Sequence, residues 1–159
     1  MSGAMNPSEN WQVLPFLNPD AYATTTKVVT GSPAIDTTGW RYATIVWNIG
    51  DMAATSVIQI EVQTSLTSGG TYADFDASPQ GVGATVMDAT EVATTDDNTC
   101  QVGEIDLRTL PAGEEFLKCA YTVTTAASDM GAIIILSNSR DTARFAATTA
   151  AYRVGVDIT

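Results

Sequence analysis

The sequence predicts an all-β chain, an antiparallel β-sandwich or jelly roll of about eight strands with extended terminal arms. Three observations carry this. Apolar and polar residues alternate with period two, most clearly where Ile58, Ile60 and Val62 interleave with Gln59, Glu61 and Gln63, the pattern of a strand with one dry and one wet face. Turn-forming glycines, prolines and acidic residues recur at short, regular intervals. No window carries the apolar period of a long amphipathic helix.

The elements follow in order. Residues 1–20 hold Pro7, Pro15 and Pro19, with Trp11 and Phe16 between them, and predict an extended N-terminal arm with two aromatic anchors. Strands are expected over 24–30, 41–49, 56–65, 71–75, 84–87, 100–107, 116–124 and 132–137, making a sandwich domain of residues 21–137. Ala43, Ile45, Trp47 and Ile49 share one face of the second strand, which assigns Trp47 to the core. Leu117, Cys119, Tyr121 and Val123 share a face of the seventh. The expected turns are Gly31-Ser32-Pro33, Gly50-Asp51, Ser68-Gly69-Gly70, Asp96-Asp97-Asn98 and Pro111-Ala112-Gly113. At Ser68-Gly69-Gly70 the glycines are expected to supply positive φ for a tight hairpin, with Tyr72 opening the return strand. Ala132-Ile133-Ile134-Ile135-Leu136 suits a strand buried on both faces.

Residues 138–159 are expected as a C-terminal arm, Ala/Thr-rich over 140–151. Tyr152, Val154, Val156 and Ile158 then alternate as a terminal strand, which must pair with its own sheet or with a neighbouring subunit.

Composition narrows the function. The chain has 159 residues, enough for one domain with a core of its own. Thr and Ala are roughly a seventh each, above ordinary usage. The net charge is −11 with only seven Lys and Arg, none clustered. Phosphate backbones and anionic lipids are bound by clustered cations, so neither nucleic acid nor membrane is an expected partner. Residues 1–10 lack a basic start followed by an apolar run, and predict no secretory leader. Cys100 and Cys119 are the only cysteines and are expected as free core thiols.

Chemistry is sparse. Histidine is absent, and with it the commonest general base, metal ligand and dyad partner. Two separated cysteines cannot make a zinc site, and no phosphate loop is present. Gly81-Val82-Gly83 lacks the strand–turn–helix context of a dinucleotide fingerprint. The carboxylate pairs Asp74 with Asp76, Asp96 with Asp97 and Glu114 with Glu115 are of the kind that serves glycoside hydrolysis or holds calcium, but they fall at expected strand ends or turns, where such groups are usually solvated. No catalytic residue, cofactor or metal is therefore expected. Trp40, following Gly39 at a strand entrance, is a candidate surface aromatic.

Asp36-Thr37-Thr38-Gly39-Trp40-Arg41-Tyr42-Ala43-Thr44-Ile45 resembles the opening of small tailed-phage virion proteins. Ile60-Glu61-Val62-Gln63-Thr64-Ser65, the Ser68-Gly69-Gly70-Thr71-Tyr72 turn and Phe116-Leu117-Lys118-Cys119-Ala120-Tyr121-Thr122-Val123 resemble later strands of the same family. The likeness covers about residues 34–137 and points to the capsid decoration or cement class. It implies a non-enzymatic protein on the outer capsid surface of a bacteriophage, made in the bacterial host cytoplasm. Its implied partners are the major capsid protein, bound at capsomer junctions, and further copies of itself, with a trimer favoured. The Ala/Thr-rich tail departs from that pattern. Interface candidates are Trp11, Phe16, Trp40, Tyr152, Val154, Val156 and Ile158. The Val62-Gln63-Thr64-Ser65 strand and its turn are also similar to discoidin-like and carbohydrate-binding jelly rolls. A tail or head–tail connector component is a further alternative.

Overall fold

Alternation becomes ten antiparallel strands in the computed structural model, which describes residues 11–29, 34–52, 55–75, 85–90 and 98–137. The first five are β1 (Trp11–Tyr22), β2 (Thr25–Val29), β3 (Ile35–Asp36), β4 (Tyr42–Met52) and β5 (Val57–Ser65). The rest are β6 (Ala73–Asp74), β7 (Thr85–Thr90), β8 (Cys100–Asp106), β9 (Phe116–Thr124) and β10 (Ser128–Ser137). One sheet, here the front sheet, has the order β1-β10-β4-β8. In the back sheet β9 and β5 are central. β2 and β3 follow one another along the free edge of β9, and β6 and β7 do the same along β5. With each shared edge taken as one interrupted strand, both sheets have four positions, and the chain passes between them in jelly-roll order.

The core lies between the sheets. Ala43, Ile45, Trp47 and Ile49 of β4 are buried, as their alternation predicts, and so are Ile58, Ile60 and Val62 of β5 and Leu117, Cys119 and Val123 of β9. Tyr121 is only half-buried. It meets Tyr22 edge-on, ring centroids 4.6 Å apart, and so ties the end of β1 in the front sheet to the back sheet. Both cysteines are free, one in each sheet. Cys119 is buried, and desolvation pushes its thiol pKa far up, whereas Cys100 is half-buried.

Five expectations need correction. Residues 11–20 are not an arm outside the sandwich. They are most of β1, the edge strand of the front sheet, and Phe16 and Leu17 are both in the core. Two neighbouring residues can face inward because the register slips between Pro15 and Leu17, and it slips again before Asp20. The prolines fit an edge strand, which needs no N–H on its free side. Gly50-Asp51 is not a turn but lies within β4, where the register against β10 shifts. A Cβ at Gly50 would lie 2.9 Å from that of Asp129, which is why the neighbouring strand can approach so closely.

Gly69 and Gly70 do not use positive φ; Gly39 and Gly113 do. Gly70 is needed for space instead, since a Cβ there would meet the hydroxyls of Ser65 at 2.5 Å and Thr67 at 2.7 Å. The return strand of that hairpin is only Ala73–Asp74, and Tyr72 precedes it. Finally, β10 is not buried on both faces. Ala132, Ile134 and Leu136 are buried, while Ile133 is 40 % exposed and Ile135 half-buried.

Candidate interaction surface

The half-open face of β10 belongs to a larger surface. Registers across the front sheet align outward-facing residues in rows. Trp11, Ser137, Tyr42 and Asp106 form the first row. Val13, Ile135, Thr44 and Glu104 form the second, and Pro15, Ile133, Val46 and Val102 the third. Trp11 is 61 % exposed and Val13 57 %. The third row is apolar across all four strands, and Val13 and Ile135 extend it into the second. A contiguous apolar stripe on an outer face is the usual mark of an interaction site.

The two ends of the stripe differ. At the first row Tyr42 is buried although it faces away from the core, because Arg41 and Arg108 approach its ring at 5.5 and 5.8 Å. Arg108 sits in the short 3-10 turn Leu107–Thr109 that follows β8. Its Nε donates to Asp106 Oδ1 at 2.8 Å and its backbone N–H to the same atom at 3.1 Å; its Nη2 pairs with Oδ2. These hydrogen bonds hold the Asp106 carboxyl below the usual carboxylate range. Glu104 is exposed beside it.

Beyond the third row the stripe opens into a groove of about 510 Å³, lined by Pro15, Pro19, Asn48, Gly50, Gly131 and Ile133. Glycine makes the floor. A Cβ at Gly131 would lie 3.0 Å from the Cα of Pro19, so the slipped part of β1 packs directly against β10 there. Asp20 and Asp129 stand at the rim. Cys100, opposite Asn48, lies on the same outer face two residues from Val102.

The carboxylates have structural partners. Thr38 Oγ1 reaches Asp36 Oδ1 at 2.6 Å and Glu115 Oε2 at 2.9 Å, and the Thr37 hydroxyl donates to the Glu115 carbonyl at 2.8 Å. The Thr64 hydroxyl donates to Glu114, and Gln63 Nε2 donates to Asp74 at 2.8 Å. These bonds pin the ends of β3, β9 and β5 to one another. The Thr38 hydroxyl and amide lower the pKa of Asp36. Among the described residues, no three Cys, Asp or Glu side chains gather as metal ligands, and no helix is long and apolar enough to cross a membrane. Asp76, Asp96 and Asp97 lie outside the described residues.

Of the interface candidates, Trp11 stands at a corner of the stripe. Phe16 is 1 % exposed and serves the core, so its own packing removes it from any surface. Trp40 is half-buried, packs against the core and lines a separate cleft with Gln12, Leu14 and Asp36. Tyr152, Val154, Val156 and Ile158 lie outside the described residues. The sequence reading missed Val13, Val46, Val102, Ile133 and Ile135. The signal was present in β10, where three consecutive isoleucines place at least one on each face. No protein-family model matches this chain, and no curated protein matches its sequence.

Proposed function

We propose that this chain is a non-enzymatic structural protein of a tailed-phage virion, a decoration or cement protein that binds the major capsid protein at capsomer junctions and stabilises the head. The observation that carries the reading is the apolar stripe on the outer face of the front sheet, with Trp11, Val13 and Ile133 exposed. An adhesive protein needs such a surface on a rigid support, and a two-sheet core supplies one. The net charge of −11 suits the outer surface of the shell, away from packaged DNA. The resemblance over residues 34–137 points the same way.

The test is addition of the purified protein to heads that lack it. Stoichiometric binding and a higher head-disruption temperature are expected; Val13→Glu should weaken the binding at least tenfold and lower the gain in disruption temperature. Heads that neither bind the protein nor gain stability would overturn the reading.

The cleft beside Trp40 favours a second reading, a carbohydrate-binding module. It combines an aromatic ring with the amide of Gln12 and the carboxylate of Asp36, in a volume of about 510 Å³. A saccharide-dependent change in tryptophan fluorescence, lost in Trp40→Ala, would support it; a flat titration across a glycan panel would dismiss it.

A further inference from the structure

The groove beyond the third row lies where outward side chains stop. Successive outward positions along β10 are Ile135, Ile133, Gly131 and Asp129, so a glycine separates the last apolar residue from a carboxylate. On the neighbouring β4, Gly50 follows Asn48 at the register shift. The space left over these glycines is about 510 Å³, within the range of sites that take a ligand.

The groove has two chemically distinct parts. Pro15, Pro19, Val46 and Ile133 give it apolar walls, and Asp20 and Asp129 give it an acidic rim. Ala21 pairs with Asp129, so Asp20 is one residue away along the adjacent strand. Both carboxylates are exposed. Asp20 accepts from the Ala21 amide at 2.8 Å, and neither aspartate makes an ion pair among the described residues. The three cations with described side chains are engaged elsewhere, Arg41 and Arg108 on Tyr42 and Lys118 on the ring of Tyr72 at 4.7 Å. Two neighbouring like charges without a counterion, in a chain of net charge −11, repel one another. A cation from outside relieves that repulsion.

We propose that this groove is the socket for an arginine side chain of the capsid partner, its aliphatic stem against Pro15, Pro19 and Ile133 and its guanidinium on Asp20 and Asp129. The inference rests on the capsid-binding reading and names the chemistry of that contact: the stripe takes apolar residues, and the groove takes the basic residue beside them. Long basic side chains lay their stems on apolar surface and keep their heads at water, which is the division this groove offers. Arginine suits it better than lysine. A guanidinium carries five donors in a planar fork and is weakly hydrated, so it can bond two carboxylates at once, whereas an ammonium is a compact, strongly hydrated charge. An anion is repelled by the rim, and a wholly apolar ligand leaves the two carboxylates without a counterion.

The test uses full-length labelled protein and synthetic peptides, followed by NMR. The probe is acetylated Val-Thr-Val-Gly-Arg-Gly amide, with lysine, citrulline or glutamate replacing the arginine in the controls. The arginine peptide is expected to shift the amides of Gly50, Gly131 and Asp129. Citrulline, which keeps the shape and removes the charge, should weaken binding about tenfold, glutamate at least as much, and lysine less. In Asp20→Asn with Asp129→Asn the arginine peptide should bind no better than the citrulline one, and the same chain should bind heads about tenfold more weakly. Thermal melts check that this chain stays folded. Equal binding of the arginine and citrulline peptides, or shifts that avoid the groove, would overturn the proposal. So would groove shifts on changing Arg140, Arg144 and Arg153 to Gln, which would put the chain's own segment there, or groove shifts that grow with protein concentration, which would put a second copy there. Heads that bind the native and doubly substituted chains equally would strike this inference alone. Peptide binding in the groove of a protein that heads do not take up would strike the functional reading alone.

Discussion

Asp106 shows how much one side chain does at the boundary between sheet and turn. It ends β8, accepts from the Arg108 backbone at the start of the 3-10 turn and pairs with the Arg108 guanidinium, which in turn covers Tyr42. Its pKa is lowered in the fold by those hydrogen bonds. The unfolded chain therefore binds that proton more tightly than the folded one. The stabilisation is fully present above the unfolded carboxylate value of about 3.9 and is lost as pH falls through the lower folded value. The pair is partly exposed, Asp106 at 24 % and Arg108 at 54 %, so its contribution is modest. Asp106→Asn, which keeps the cap but not the charge, should cost about 0.5–1 kcal/mol at pH 7. Urea melts should show the gap to the native chain closing below about pH 4; a gap that stays constant to pH 2 would contradict this account.

At the scale of the strand, β10 separates the two faces residue by residue. Ile134 is fully buried against Ile45, while Ile133 beside it lies on the outer stripe. Ile134→Ala should destabilise the fold by about 2–5 kcal/mol, as large-to-small changes in a packed core do. Ile133→Ala should stay within about 1 kcal/mol of the native chain in denaturant melts of the monomer. Similar losses at both positions would mean that the outer face is covered within one molecule. Gly131 marks another boundary. An alanine there must push against Pro19, backbone included, and should cost about 1–3 kcal/mol in the same melts.

These elements also show what was legible beforehand. The alternation of β4, β5 and β9 named their buried faces because a period of two is written directly in residue type. The bulged β1 was misread because its two core residues, Phe16 and Leu17, are adjacent, and a bulge erases the period that identifies a strand. Gly70 was recognised as necessary for the wrong reason, since a close approach by Ser65 and Thr67 is a property of the folded turn and not of the sequence. The stripe escaped notice because Pro15, Ile133, Val46 and Val102 come from four separate strands, and only the register brings them into one row.

At the scale of the whole molecule, the edges and the faces divide the labour. The back sheet ends on both sides in short, interrupted strands, two residues long in β3 and β6. Short edges are poor templates for strand addition, which protects a β protein from unplanned edge-to-edge pairing. The front sheet instead offers its outer face, where contact depends on side-chain fit and can be specific. The distribution of thiols reports the same division. One cysteine per folded chain should react with a maleimide, Cys100, and a second only on unfolding. Two fast-reacting thiols in the folded state would show that the core is open at β9.

The position of β10 has a consequence for how the molecule is made. It lies between β1 and β4, which do not pair with each other, and among the described strands it is the last to be synthesised. Until residues 128–137 leave the ribosome, β1 and the β10-facing edge of β4 have no hydrogen-bonding neighbour, and Ile45 and Trp47 lack Ile134 and Ala132 beside them. Pairings so distant in sequence close slowly, on the order of milliseconds to seconds. Completion of the front sheet is therefore a late event in folding. A chain cut short before residue 128 is left with unpaired strand edges and uncovered core side chains, the species most prone to aggregate.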